Sequence, residues 1–483
     1  MALDAETCGR ALAERDRGFD GLFYVGVPST GVYCRPVCPD PKPRRGRVYF
    51  ALRAGAEREG FRACFRCRPE LAPGAGPSAA IPRLVAAAMA CIEAGTLNDL
   101  SVDELARDLG VAGPDLRQAV FRAVGATPEE LAESRRLALA KQLLQDTHLG
   151  LAEVAGASGF AGLRSLRAAF VRRFGQAPSS LRRKAEALGN DGAVLLRLDY
   201  RPPLAWGELL SFLGARATAG VEEVEGALYR RTVRLGRHVG FVEVRPDPER
   251  PSLRALVSPS LTGALLALSA RLRALFDLDA RPEEVARHLG RDPLLERAVA
   301  RRPGLRVPGA FDGFDSAVRT VLGQQVTVRA ATTVAGRLAE ALGEPLATPW
   351  PALRRLSPTP EALSAARVGT LARLGMTGAK ARTLRALAGS VAARELGLER
   401  HADPEIVERR LRSLPGIGPW TAEVVSMRAL GEPDAFPASD LGVAKALGAA
   451  SPAAAEERAE RWRPWRSYAA MHLWASLAAG ELL

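Results

Sequence analysis

At 483 residues the chain exceeds the usual size of one domain, and its 47% apolar content is enough for about three or four packed cores. A net charge of +13 and a pI near 10.0 disfavour an acidic-surface role and point to a polyanion, nucleic acid before membrane. No apolar run approaches the roughly 20 residues of a membrane span, and the start Met1-Ala2-Leu3-Asp4-Ala5-Glu6 lacks the basic and apolar regions of an export signal, so a cytoplasmic, nucleoid-associated protein is expected.

Of the six cysteines, Cys8 and Cys91 stand apart, whereas Cys34-Arg35-Pro36-Val37-Cys38 and Cys64-Phe65-Arg66-Cys67 form C-x3-C and C-x2-C. In a reducing compartment this pattern favours a metal over disulfides, and two such loops can close one tetrahedron of thiolates around a single zinc ion. Spacing alone leaves open a purely structural zinc knuckle. Arg35, Arg44, Arg45, Arg47, Arg62, Arg66 and Arg68 crowd these loops, which suggests a site lying against a phosphate backbone.

The run Leu71-Ala72-Pro73-Gly74-Ala75-Gly76-Pro77-Ser78 reads as a linker. Beyond it, Ser101 to Val111 has an N-cap serine, an amphipathic stretch and a glycine turn, followed by a second amphipathic segment from Pro114 to Arg122. The plan repeats at Leu151 to Phe160 and Ser165 to Gly175, with a helix expected from Leu131 to Leu144 between the units. Further on, Ala193–Tyr200, Ala227–Leu235 and His238–Val244 alternate as strands do and predict a small α+β domain with an antiparallel sheet, with no evident chemistry.

From Phe311 the pattern is helical. Leu414-Pro415-Gly416-Ile417-Gly418-Pro419-Trp420 predicts a tight hairpin between two helices, with Gly416 and Gly418 free to take positive φ and amides disposed toward a phosphate. Asp440 follows the loop Phe436-Pro437-Ala438-Ser439 and precedes an apolar helical stretch. On spacing alone it is equally an N-cap or a working carboxylate.

Three resemblances organise these readings. Gly31 to Cys38 together with Gly60 to Cys67 resembles the zinc domain of the Ada family of adaptive-response proteins. The resemblance implies one zinc held by Cys34, Cys38, Cys64 and Cys67, with Cys34 also accepting a methyl group from a DNA methylphosphotriester. The metal would keep the thiolates deprotonated, and methylation would reduce the site's charge from about −2 to −1 and ease its repulsion of DNA, a stoichiometric switch. The repeated units resemble the AraC-type helix-turn-helix domain. That implies second helices, starting near Pro114 and Leu163, in the major groove, with Arg117, Gln118, Arg122, Arg164, Arg167 and Arg172 as contacts. The O6-alkylguanine domain of Ada proteins is not expected, since no cysteine follows Cys91.

Residues from about 190 onward are similar to the helix-hairpin-helix glycosylases, most closely the AlkA-type 3-methyladenine DNA glycosylases. The resemblance implies that Asp440 stabilises oxocarbenium character as the N-glycosidic bond breaks, and that Trp420 and Trp474 line a pocket for the electron-deficient base. It puts Gln325 at the position that fills the gap left by the flipped nucleotide, polar where AlkA is apolar. Val424 and Ala475 stand where AlkA carries tyrosines. Trp420 occupies the site of the Schiff-base lysine of strand-cutting relatives and Lys445 lies on the wrong side of Asp440, so a monofunctional enzyme is expected, without an iron–sulfur cluster.

The expected architecture is multidomain and mainly α: a zinc and methyl-acceptor domain (1–76), a double helix-turn-helix (77–188), an α+β antiparallel-sheet domain (189–300) and an all-α helix-hairpin-helix glycosylase domain (301–483). Expected partners are damaged and promoter double-stranded DNA and RNA polymerase, with no membrane and a monomeric state. The competing reading is a transcription regulator whose glycosylase half only binds DNA.

Overall fold

The computed structural model describes residues 4–40, 46–74, 76, 82–182 and 193–481. Arg44 and Arg45, Ala75, Pro77 and Ser78 of the expected linker, and the expected boundary at 188/189 lie outside the described residues. Among the described residues no helix is long and apolar enough to cross a membrane.

The first unit opens with the helix Ala5–Glu14, whose first turn is capped by Asp4 accepting from Thr7 N at 2.7 Å. Four short strands follow in the order Val48–Phe50, Tyr24–Val27, Val32–Cys34, Arg62–Ala63. The last pair is parallel, with Tyr33 opposite Ala63, so Cys34 and Cys64 leave the same sheet edge side by side.

Both helix-turn-helix units form where the repeat predicts. The first pairs Val102–Asp108 with Gly113–Val124, and the second pairs Leu151–Ala157 with Leu163–Phe174. The 19-residue helix Pro128–Asp146 joins them. Capping boxes start two of these helices, Ser101 with Glu104 and Thr127 with Glu130.

The sheet that follows is antiparallel and five-stranded, in the order Val194–Asp199, Ser252–Val257, His238–Pro246, Leu228–Leu235, Glu222–Glu225. Two of its strands lack a readable alternation. Glu222–Glu225 carries three carboxylates and is an edge strand, held by cross-strand charge: Glu223 lies opposite Arg230 and Glu222 opposite Arg231. The remainder is helical. The hairpin is formed by Pro404–Ser413 and Pro419–Val425, and the second of these runs into a five-residue π turn, Ser426–Leu430.

The apolar cores cross these units. One cluster joins Tyr24 and Tyr33 of the cysteine-bearing sheet, Leu143 and Phe170 of the helix-turn-helix region, and Leu196, Val257 and Leu272 of the five-stranded unit. A second lies wholly among helices from Phe314 to Leu430. In a third, Val285, Leu289 and Val299 pack with Phe436, Trp462 and Leu473. Buried cations reinforce the first junction. Arg201, fully buried, donates from Nε to Asp20 O at 2.9 Å and from Nη1 to Asp279 O at 2.7 Å, and it also bonds Gly74 O. Lys141, 1% exposed, bonds Cys64 O at 3.2 Å and Glu70 Oε2 at 2.8 Å.

Candidate functional site

The four cysteine sulfurs lie within 4.8 Å of one another, and all four residues are buried. Four thiolates at about 2.3 Å from a central zinc would be separated by roughly 3.8 Å, so this buried, all-sulfur set fits a tetrahedral zinc site. Hydrogen bonding, first from Cys34, brings Cys38 down to about 6 and holds Cys64 far below the ordinary thiol range, while burial pushes Cys67 well above it. These residues form the zinc centre of the chain.

The surrounding arginines differ from the expectation of a phosphate-facing cluster. Arg35 is 7% exposed and turns inward: Nε donates to Asp20 Oδ1 at 2.8 Å, Nη1 to Asp199 Oδ2 at 2.9 Å, and its backbone N–H to Cys67 Sγ at 3.3 Å. Arg68 is likewise buried, against Glu70 and Asp146. Burying a guanidinium is tolerable only when carboxylates meet it, and here they do. Arg62 and Arg66 are the exposed ones in the C-x2-C loop region.

Far along the chain, Asp440 starts the helix Leu441–Leu447 and caps it, Oδ1 accepting from Val443 N at 3.0 Å. The carboxylate does more than cap. Trp420 Nε1 donates to Oδ2 and Trp474 Nε1 to Oδ1, each at 2.9 Å. Indole N–H groups can only donate, so both hold the carboxylate oxygens in place. Beside the stacking role that the resemblance implies for these tryptophans, the geometry displays their N–H edges orienting Asp440. Gly442 belongs to the same arrangement, because a Cβ there would meet Asp440 Oδ1 at 3.0 Å and Trp474 Cδ1 at 3.3 Å.

The hairpin supports Trp420 from below. Gly416 has φ +79°, and a Cβ there would meet Thr383 Oγ1 at 2.3 Å, so both conformation and space require glycine. Gly418 departs from the expectation: its φ is −100°, it is extended, and it serves as the N-cap of Pro419–Val425. Gln325 is exposed with φ +55°, and its neighbour Gln324 donates from Nε2 to Gly416 O and Thr421 Oγ1, both at 2.9 Å. Val424 is buried and Ala475 half-buried; Lys445 is exposed.

The sheet domain, in which the sequence shows no chemistry, contributes a wall of stacked side chains around Phe212. Arg216 stacks 3.7 Å above the Phe212 ring, with Arg428 5.2 Å from the same centroid. Burial first, then the charges of Arg428 and Arg319, lower Arg216 to about 9, and the Asp440 carboxylate opposes them. A desolvated cation thus feels the Asp440 charge. Residues more than 200 positions apart make this wall, and no local pattern announces it.

On the helix-turn-helix units, Arg117 is paired within its own domain, to Asp103 and Glu129 at 2.8 Å each, and Arg172 is paired to Glu133. Arg167, Arg164, Arg122 and Gln118 are exposed. The two 12-residue second helices share a register that their charged residues do not reveal: Leu116 matches Leu166 inside, and Phe121 (47% exposed) matches Val171 (50%) outside. Aligning the repeats on their buried leucines would have found it.

Known proteins resemble the chain in each of its units. The chain matches the metal binding domain of Ada over residues 7–70, a helix-turn-helix domain over 105–184, the AlkA N-terminal domain over 195–312, and the HhH-GPD superfamily of base excision DNA repair proteins over 318–466. It is 36% identical to DNA-3-methyladenine glycosylase 2 of Escherichia coli over 277 residues, 57% of this chain and 95% of the relative. The solved 3-methyladenine DNA-glycosylase of Archaeoglobus fulgidus shares the fold, with a TM-score of 0.52 at 24% identity over 60% of this chain and 100% of that one. It is 42% identical over 484 residues, 98% of this chain and 97% of the relative, to a Mycobacterium tuberculosis protein described as a probable bifunctional transcriptional activator/DNA repair enzyme AlkA. With a four-thiolate zinc centre, paired helix-turn-helix units and a helix-hairpin-helix glycosylase fold on one polypeptide, the chain belongs to this family of bifunctional transcriptional activator/DNA repair enzymes.

Proposed function

We propose that the C-terminal half excises alkylated purines of the 3-methyladenine type from duplex DNA, and that the N-terminal half uses Cys34 as a methyl acceptor controlling transcription. The observation that carries the first part is the Asp440 carboxylate, gripped by two indole N–H groups and a backbone N–H at the mouth of the hairpin. In the reaction the C1′–N bond breaks and its electron pair leaves with the base. An alkylated purine is cationic and departs readily, so the need is for stabilisation of the sugar cation, which a fixed anion supplies. Water, oriented by Asp440, then adds at C1′ and gives up its proton to the carboxylate, and an abasic site remains. Trp420 at the lysine position of strand-cutting relatives supports a monofunctional reaction. Gln325 fills the gap left by the flipped nucleotide, and Gly416 and Gly418 bring hairpin amides to the DNA backbone.

In the sensor half, Cys34 Sγ attacks the methyl carbon of a phosphotriester; an S–CH3 bond forms and the phosphodiester leaves as an anion. Zinc supplies the thiolate character of its four ligands. Cys34 is 1% exposed, so this transfer includes movement of the cover over its sulfur. The methylated protein then binds promoters through exposed side chains such as Arg167 and recruits RNA polymerase, with Arg117 joining the DNA contacts when its ion pairs exchange for phosphate.

Base release decides the first reading. The protein is incubated with duplex DNA containing 3-methyladenine and free base is counted; Asp440→Asn should release little, and release equal to the parent would reject Asp440 as the working carboxylate. Peptide mass after exposure to methylated DNA should show one added methyl on Cys34, and an unmodified Cys34 would reject the sensor.

A further inference from the structure

The segment from Leu322 to Val328 turns a sharp corner between two helices. Gly313–Gly323 ends there, and Thr327 caps Val328–Leu342, its Oγ1 accepting from Ala330 N at 3.2 Å. Between them Gln325 sits at φ +55°, a left-handed conformation that a side-chain-bearing residue rarely adopts. Gln325 is exposed, as is Val326 at 46%. Such a conformation persists only where its surroundings over-determine it.

Two side chains supply that constraint. Lys380, in the helix Gly378–Ala392, donates from Nζ to Leu322 O at 3.0 Å and to Gln324 O at 2.6 Å. One cation therefore gathers the carbonyls on either side of Gly323, where a helix C-terminus leaves carbonyls unpaired and carries partial negative charge. Gln324 meanwhile sends its amide to the hairpin, to Gly416 O and to the buried Thr421 Oγ1. Thr421 adjoins Trp420, which holds Asp440, so the corner, the hairpin and the carboxylate are linked by consecutive contacts.

We propose that Lys380 and Gln324 are positioning residues for base flipping: they hold Gln325 outward in its left-handed conformation and fix the corner to the hairpin that grips the DNA backbone. The proposal rests on the reading of Gln325 as the side chain that fills the flipped nucleotide's gap. Lys380 acts through the loop backbone, not on the reacting atoms. Arginine can restore a cation at this place, whereas methionine matches the length without the charge.

The test uses the full chain with Lys380→Met, Lys380→Arg, Gln325→Ala and the double variant, on a duplex holding one 3-methyladenine with 2-aminopurine as its neighbour. Base release gives kcat/KM, and 2-aminopurine fluorescence reports unstacking beside the lesion. Lys380→Met should lose about 10-fold in kcat/KM and most of the fluorescence gain, at unchanged affinity for undamaged duplex; Lys380→Arg should recover most of both. The double variant should be no worse than Gln325→Ala, because both changes remove one function. Parent-like release and fluorescence from Lys380→Met, or additive losses in the double variant, would overturn the proposal. If Gln325→Ala itself behaves as the parent in both readouts, the underlying wedge reading falls, and that outcome is distinct from failure of the Lys380 clamp alone.

Discussion

Arg35 follows the zinc ligand Cys34 directly, yet its Nη1 reaches Asp199, 164 positions away on the first strand of the glycosylase half, at 2.9 Å. The same guanidinium holds Asp20 with its other nitrogens, and all three side chains are at most 15% exposed. The chain beside the zinc ligand Cys34 is therefore fastened to the five-stranded unit by a buried ion network.

Arg35→Met leaves Asp20 buried without its cation and Asp199 with only the longer pair to Arg197, at 3.6 Å. Breaking a buried pair from one side costs about 3–5 kcal/mol. The variant should melt at a lower temperature than the parent in calorimetry, with the five-stranded unit affected along with the zinc domain. An unchanged melting curve would show that this junction contributes nothing to stability.

Metal removal should have a similarly wide effect. Binding energy at a structural zinc site is folding energy, and Tyr24 and Tyr33 beside the thiolates share a core with Leu196 and Val257. Treatment with a strong chelator should release one zinc per chain and lower the melting temperature of the whole N-terminal assembly, and Cys64→Ser should do the same without chelator.

Trp420→Phe keeps the ring and removes the N–H that holds Asp440 Oδ2. The indole orients the fixed anion and does not touch the developing charge, and misplacing such a group by about 1 Å typically costs roughly 10²-fold in kcat, with KM little changed. Trp474→Phe should act in the same direction through Oδ1. A Trp420→Phe enzyme with parental kcat would mean that the indole contact is only structural.

Two half-buried aspartates should give opposite pH dependence. Burial alone would raise Asp279, but the charge and hydrogen bonds of Arg273 and the N–H of Gly74 outweigh it and hold the carboxyl far below its ordinary range. Its stabilisation is complete above about pH 4 and is lost as pH falls toward that depressed pKa, so Asp279→Asn should be less stable than the parent at pH 7 and converge with it in acid. Asp315 runs the other way. Burial first, then Glu222, raises it to about 6, so its contribution is complete below about pH 4 and is lost as pH rises through about 6. Asp315→Asn should therefore melt higher than the parent at pH 7, with the gain vanishing near pH 4; a gain independent of pH would exclude this cause.

Much of this molecule was readable before any coordinates because its signals are local. The C-x3-C and C-x2-C loops, the two helix-turn-helix repeats and the Pro-Gly hairpin each lie within a few turns of chain, where spacing, capping and turn chemistry operate directly. The positive φ of Gly416 belongs to that class, and Gly418 marks its limit, since which of two glycines turns is decided by the approach of Thr383.

By itself the sequence determined the order of the units, the four sulfur ligands, the hairpin and the carboxylate that follows it. What needed the folded molecule is that Arg35 points to Asp199 and not to solvent, and that Trp420 and Trp474 spend their N–H groups on Asp440. The physical reason is the same in each case. A charge or donor takes the partner that packing brings within about 3 Å, and that partner comes from a distant segment whose identity no local periodicity records.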